Sequence, residues 1–384
     1  MELSNICEYS SKRIDSSLLT VENYVSTENM MQNKGGITLA SKVPVENSVE
    51  FLPGDILISN IRPYFRKIWL SDKKGGCSSD VLCIRALPGT DSTYLYYLLS
   101  QDSFFDYVMS GAKGCKMPRG DKSQIMQWDV ALPNFEEQHR IASILKSIDD
   151  KIQLNNRINH NLEQQAQALY KSWFVDFEPF RGGKFVDSEL GLIPEGWSTI
   201  SFKDFLTPIS RKVPVGLYPE YSVTNTGLIP RSEKFKKQLS SNSSQNKELR
   251  KYDIVFGMSR EILNWGIMLE DVGSVSSAYS IYGINENLIH PLYLKYYIEQ
   301  RSWYFNDLIG TAAREGQSLD KGALMQKYAT VPTSSVFLSF MERDNAYREQ
   351  ILALDSETKH LESLRDAILP KLMSGELKIN DLTC

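Results

Sequence analysis

The sequence predicts an α+β fold written twice: two halves of mixed strands and short helices, each followed by one long helix. Three observations carry this. A phrase recurs, "GDKSQIMQWDVALP" at 120–133 and "LDKGALMQKYATVP" at 319–332, the copies lying 199 residues apart in a chain of 384. Further matches at that offset run along the whole chain. Behind each copy of the phrase, a long helical stretch carries apolar residues at alternating steps of four and three, the seam of a coiled coil.

A repeat of this kind decides the architecture. Ser11-Lys12-Arg13-Ile14 matches Ser210-Arg211-Lys212-Val213, and Tyr94-Leu95, Tyr97 and Gln101 match Tyr293-Leu294, Tyr296 and Gln300. Gly111 falls on Gly310, and Asn161-Leu162-Glu163 on His360-Leu361-Glu362. Midway the offset slips to 198, where Gly54-Asp55-Ile56 meets Tyr252-Asp253-Ile254 and Ser78-Ser79 meets Ser276-Ser277. A collinear series is a duplication. Two similar halves are either a structural duplication with no shared function or one job done twice on a partner that itself offers two sites, as two-fold symmetric DNA readers do with paired half-sites.

Within the first half, "DILISNI" and "DVLCIRAL" read as strands bounded by Pro53-Gly54, Gly75-Gly76 and Pro88-Gly89. "STYLYYLLSQDSFFDYVM" reads as one helix, with Ser92 as N-cap and Gly111 as its stop. "VALP" reads as a short strand that hands the chain to its long helix. The second half repeats the plan with "DIVFGM", "AYSIYGI" and "HPLYLKYYIEQRSWYFNDLI". From Glu136 to about Asp176 there is neither Gly nor Pro, which predicts one long helix. Its seam is Ile141, Leu145, Ile148, Ile152, Asn155, Asn159, Leu162, Ala166, Leu169 and Trp173. The second seam is Phe340, Asp344, Tyr347, Ile351, Leu354, Thr358, Leu361, Arg365, Ile368 and Leu372, clean from Tyr347 onward with Arg365 its main blemish. Asn155, Asn159 and Thr358 lie mid-seam, where a polar residue either fixes register or marks a wet stretch. The domains expected are 1–134, a long helix at 135–176, a linker and second domain at 177–333, and a second long helix with tail at 334–384.

Composition is that of ordinary globular material, 42% hydrophobic and 23% charged. No apolar run approaches a membrane span, and "MELSNICEYSSKRID" has no basic start followed by an apolar stretch. Five scattered cysteines without a CxxC pair suit reduced thiols, so a cytoplasmic location is expected. Catalysis is not expected from this chain. There is no HExxH and no Gly-rich dinucleotide fingerprint. Three of the four histidines, His139, His160 and His360, fall on the long helices. "GCKMPRGDKS" has the wrong spacing for a phosphate-binding loop, and "NIRPYF" lacks the spacing of the amino-methyltransferase Asn-Pro-Pro-Tyr/Phe signature. No cofactor or metal site is expected either.

A net charge of −4 argues against a generic polyanion binder, so the location of the cations decides. "IRPYFRKIWLSDKK" (61–74) and "GAKGCKMPRGDK" (111–122) concentrate Arg and Lys beside aromatics and glycines. "RSEKFKKQ", "KELRK" and "TAAREGQ" do so in the second half. Glycine lets backbone approach a duplex, while Arg and Lys neutralise phosphates or bond guanine edges. The alternative is a solvated basic face. On the DNA reading, the candidate contacts are Arg62, Tyr64, Lys67, Lys113, Lys116 and Arg119, then Arg211, Lys212, Arg231, Arg260, Arg314 and Gln317.

"LPNFEEQHRIASILKSIDDKI" (132–152), "LYKSWFVDFEPF" (169–180), "GLIPEGW" (191–197), "ILPKLMSGEL" (368–377) and "GDILISNIRPYFRK" (54–67) together resemble the specificity subunits of type I restriction-modification systems. The likeness covers nearly the whole chain. It implies two mixed α/β target recognition domains separated by two long antiparallel helices, a coiled coil with pseudo-two-fold symmetry. It also implies a non-catalytic reader of a bipartite double-stranded DNA site, one half-site per domain. Two methyltransferase subunits would dock on it and flip the target adenine, with endonuclease-translocase subunits as optional members. S-adenosylmethionine would sit in the partner methyltransferase. The alternative function is a stand-alone DNA methyltransferase or nuclease; a third is a scaffold with no DNA role. One departure stands out: "GLIPEGW" precedes the second domain, but nothing like it precedes the first. Either the first domain's opening is trimmed, or the C-terminal segment takes its role.

Overall fold

The structure, a computed structural model, describes residues 1–112, 114, 116–213, 218–231, 246–257, 262–309 and 319–379. It divides into two compact units, Met1–Asn159 with Ile351–Cys384, and His160–Gln350. Each unit holds one mixed α/β half together with portions of both long helices.

In unit 1 the core sheet runs in the order Cys7–Tyr9, Val81–Ala86, Ile56–Ser59, Ile68–Leu70, antiparallel throughout. Unit 2 repeats it strand for strand as Leu206–Ile209, Ser280–Ile284, Ile254–Phe256, Trp265–Ile267. The outer sheets agree too. In unit 1, Ser48–Phe51 pairs antiparallel with Arg13–Ile14 and Gly75–Cys77, and Tyr24–Val25 adds in parallel. In unit 2, Lys247–Arg250 pairs antiparallel with Val272–Val275 and bridges to Lys212, while Glu220 bridges Ser274 in parallel. The duplication seen as letters is thus a duplication of topology.

A turn shows how the sequence enforces this. Gly54 (φ 89°) and Tyr252 (φ 70°) occupy the same left-handed position of the repeat. The next residue closes the turn in both copies: Asp55 Oδ2 accepts from Leu52 N at 2.7 Å, and Asp253 Oδ2 from Arg250 N at 2.8 Å. Glycine adopts that backbone freely, whereas tyrosine there costs roughly 1–2 kcal/mol.

Three expected elements differ. The helix expected over 92–109 is two, Ser92–Leu99 and Asp102–Ser110, because Gln101 is extended and Ser100 Oγ turns back to Tyr96 O at 2.6 Å. Its N-cap is Asp91, which accepts from Thr93 N and Tyr94 N, not Ser92. In unit 2 the matching stretch is the helix Pro291–Gln300 followed by 3-10 turns at Ser302–Leu308. "VALP" forms no strand, since only Glu2 bridges Asp129; its counterpart Tyr328–Val331 is a strand because Ser198–Ser201 offers it a full edge.

The first long helix, Phe135–Phe174, is uninterrupted over 40 residues. Asn134 Oδ1 caps it by accepting from Glu137 N at 2.9 Å. The second, Ser334–Ser374, accommodates Pro370 and stops before Gly375 (φ 74°). Inside unit 1 they pair through Asp149 with Arg365, Asn155 with Thr358 and Asn159 with Asp355. Numbers rise on one helix as they fall on the other, so the pair is antiparallel. Along the seams Ile141, Leu145, Ile152, Asn155, Asn159, Leu162 and Ala166 are buried, as are Phe340, Asp344, Thr358 and Leu372. Ile148, Leu169, Trp173, Tyr347, Ile351, Leu354, Leu361, Arg365 and Ile368 are half-buried.

Unit 1's main core joins Tyr94, Leu95, Phe104 and Phe105 to Ile141 and Leu145, and Leu369, Leu372 and Met373 of the C-terminal segment close it. Unit 2's is aromatic: Tyr170 stacks on Tyr296 with centroids 5.2 Å apart, and Phe174 packs on Tyr293, Trp197 and Phe340. Burying such rings contributes on the order of 2–3 kcal/mol each. Among the described residues no helix is long and apolar enough to cross a membrane, and no cluster of His, Cys, Asp and Glu suits a metal ion.

Candidate nucleic-acid interface

The strand Ile56–Ser59 of unit 1 delivers the chain into a tight loop, Ile61-Arg62-Pro63-Tyr64-Phe65-Arg66. Proline bars its predecessor from the right-handed helical region, and Arg62 is left-handed (φ 51°, ψ 62°). One 3-10 turn follows at Pro63–Phe65, and Arg66 closes it, again left-handed (φ 51°, ψ 45°), its N–H donating to Pro63 O at 2.8 Å. The loop projects Tyr64, which is 42% exposed.

A second loop lies beside it. Arg62 N donates to Pro118 O at 2.8 Å, and Ile61 bridges Arg119. The Arg119 side chain is exposed, with Nη2 3.1 Å from Asp80 Oδ1. Lys116 is exposed on the same loop, whereas Lys113 lies outside the described residues. Arg62 Nε is buried with no hydrogen-bond partner among the described residues. The structure therefore gathers Arg62, Tyr64 and Arg119 into one surface, with Lys116 on the second loop.

The other cations of the segment 61–74 are spoken for. Lys67 turns inward and donates from Nζ to Thr27 O at 2.6 Å; burial, then the charge of Arg62, lowers its pKa. Lys73 donates to Glu22 O at 3.0 Å. Lys74 and Lys12 both reach the buried Glu50, at 2.9 and 2.8 Å, and their hydrogen bonds hold its carboxyl below the usual range. A basic run in sequence is here largely a set of side chains tied to the chain's own oxygens.

In unit 2, Arg211 pairs with Asp253, the carboxylate of the shared turn, whose own pKa burial raises. Arg231 stands 3.9 Å from Glu220, and its N–H bonds Glu220 O at 2.8 Å. Lys212 is exposed beside the Lys247 strand. Arg260, Arg314 and Gln317 lie outside the described residues. The fourth histidine, His290, caps the helix Pro291–Gln300 by accepting from Leu292 N through Nδ1 at 3.2 Å.

Sequence reading passed over one cationic group in this surface, Lys34. It lies in "NKGG" (33–36), a turn signal of the Gly-Gly kind. Asn33 and Lys34 are left-handed (φ 54° and 63°) and donate their N–H groups to Phe65 O and Arg66 O, both at 2.9 Å. Lys34 Nζ and Arg66 Nη1 then meet one carboxylate, Asp102, at 3.6 and 2.8 Å.

Comparison with known proteins agrees with this architecture. A sequence profile described as the type I restriction modification DNA specificity domain matches residues 1–164. The chain is 24% identical over 382 residues to the type I restriction enzyme MjaIX specificity subunit of Methanocaldococcus jannaschii, covering 95% of this chain and 87% of that one. It is 25% identical over 327 residues to the MjaVIII specificity subunit of the same organism, covering 76% and 72%. Its fold is similar to the crystal structure of the type I restriction-modification system S subunit from M. genitalium, with a TM-score of 0.59 at 14% identity, over 97% of this chain and 95% of the other.

Proposed function

Taking as premise that the chain belongs to the family of type I restriction-modification specificity subunits, we propose that it reads a bipartite DNA site, one half-site per unit. The single observation that carries this is the repeated core sheet, present in the same strand order in both units while the sequences between its strands differ. A shared scaffold with divergent loops reads two different half-sites with one geometry.

The chain itself acts by positioning, without catalysis. Methyltransferase subunits holding S-adenosylmethionine dock on it, and endonuclease-translocase subunits complete a restriction complex. In unit 1, Arg62, Tyr64, Lys116 and Arg119 are the proposed contacts, with Lys113 beside them in sequence. Lys67 serves the same surface from within, by tethering the 61–67 loop to Thr27. In unit 2 the proposed contacts are Lys212, Arg260, Arg314 and Gln317. Arg211 and Arg231 belong to the set with carboxylates already at hand, as Arg119 does beside Asp80, so DNA has to compete for them.

The length of the paired helices sets the spacer between half-sites. A heptad removed from each helix keeps the seam in phase and shortens it by about 10 Å, roughly three base pairs. Mapping methylated adenines in a host with and without this chain tests the reading. Methylation at a bipartite motif that appears only with the chain and its methyltransferase supports it. Methylation by the purified chain alone would show a stand-alone enzyme, and a motif indifferent to the chain would show a scaffold.

A further inference from the structure

The two loops that meet at Asp102 contain an unusual concentration of left-handed backbone. Of the six non-glycine residues with positive φ among the described residues, four are Asn33, Lys34, Arg62 and Arg66. Such conformations persist only where the surroundings over-determine them, and they gather at ligand clamps. Here two backbone hydrogen bonds, Asn33 N to Phe65 O and Lys34 N to Arg66 O, lock one loop onto the other. The consequence is local and specific: a Lys and an Arg from distant parts of the chain converge on the two oxygens of one carboxylate.

That carboxylate is not a buried structural anion. The Asp102 side chain is 56% exposed, Arg66 36% and Lys34 23%. Two cations face one anion at this contact. A phosphodiester also offers two anionic oxygens to a Lys and an Arg, and Arg is suited to both. A guanine edge, by contrast, is met by a single Arg through both its nitrogens and requires no second cation.

We infer that Lys34 and Arg66 form a clamp for one backbone phosphate of duplex DNA, with Asp102 occupying it as a resident anion that the phosphate displaces. The inference rests on the DNA-reading function proposed above and adds to it a sequence-independent contact in unit 1. Asp102 weakens binding to any duplex, because an incoming phosphate meets its charge. Clamp and gate are one device.

The test uses the chain assembled with its methyltransferase, and binding to its own methylation site and to an unrelated duplex, across a range of salt. Lys34→Gly and Arg66→Gly suit the left-handed backbone at both positions, so melting midpoints at or above wild type are expected. Each should weaken binding to both duplexes by a common factor of about 3 to 10 and reduce the slope of log affinity against log salt by about 0.9. Asp102→Asn, which keeps an oxygen for Arg66, should tighten binding to both. Unchanged affinity and slope in both glycine variants, with wild type still selective, would overturn the clamp while leaving the functional reading intact. A loss confined to the methylation site at constant slope would do the same, by making these residues base readers. Weaker or equal binding by Asp102→Asn would remove the gate. Wild type without preference for its own site would instead overturn the functional reading, and the clamp with it.

Discussion

Arg365 Nη1 donates to Asp149 Oδ1 at 2.9 Å, joining the two long helices inside unit 1. Tyr97 OH donates to the other carboxylate oxygen at 2.7 Å, so the mixed α/β half, the first helix and the second helix meet on one anion. Burial opposes the Arg365 charge, but Asp149 and then Asp366 raise its pKa overall. Unit 2 builds the same chemistry from different places. Tyr296, the repeat partner of Tyr97, donates to Asp344 Oδ1 at 2.6 Å, and Arg348 Nε reaches Oδ2 at 2.5 Å.

Arg365→Met removes one partner of a pair whose side chains are each less than a quarter exposed. The expected cost is about 1–3 kcal/mol in denaturant unfolding, from the charge left on Asp149. Adding Asp149→Leu should recover part of it, because an apolar pair suits such a site. No loss in the single variant would show the pair to be idle.

Asn155 is fully buried, donating to Glu357 Oε2 at 2.8 Å and contacting Thr358 Oγ1 at 3.4 Å, while its own Oδ1 finds no partner among the described residues. Asn155→Leu should therefore raise the calorimetric midpoint, since a polar seam residue trades stability for register. A lower midpoint would mean that the hydrogen bonds outweigh the burial.

His290 accepts a backbone N–H, which requires its neutral form, and burial lowers its pKa; Arg348 acts the same way, and Glu286 and Asp344 oppose it. A base held neutral in the folded state contributes stability in full above its unfolded pKa of about 6.5. That contribution is lost as pH falls through the lower, folded value. Between pH 7.5 and 5, wild type should lose more stability than His290→Asn, which keeps a cap that does not titrate. Parallel pH profiles would remove His290 from the account.

Asp121 and Asp320 are the second residues of the two copies of the repeated phrase, and each caps a five-residue helix. Asp121 accepts from Ser123 N and Gln124 N, and Asp320 from Ala323 N. Ile125 and Leu324, at matching positions, are fully buried. Asp121→Ala and Asp320→Ala should each cost about 1 kcal/mol by thermal unfolding, with Asn close to neutral. A phrase without a capping role would tolerate Ala at both.

These residues also show what the letters carried. The Asp-Lys phrase, the strands Ile56–Ser59 and Val81–Ala86, and the long seam are local patterns, set by caps and by side-chain period. The antiparallel pairing came through family resemblance, and contacts such as Asn159 with Asp355 now display it. What stayed hidden depends on partners far away in sequence. Arg365 reads as a flaw in the seam until Asp149 stands opposite. Lys67, Lys73 and Lys74 read as a free basic face until Thr27, Glu22 and Glu50 stand beside them as partners. Lys34 draws no notice until "NKGG" folds onto Arg66. The break at Ser100–Gln101 has no breaker residue, only a serine turned back on Tyr96.

The central claim, one half-site per unit, is tested most directly by exchanging residues 1–134 for those of a relative with a known bipartite site and mapping the methylated adenines. A hybrid motif is expected, with one half-site replaced and the other half-site and the spacer retained. A motif altered in both halves, or in neither, would contradict it.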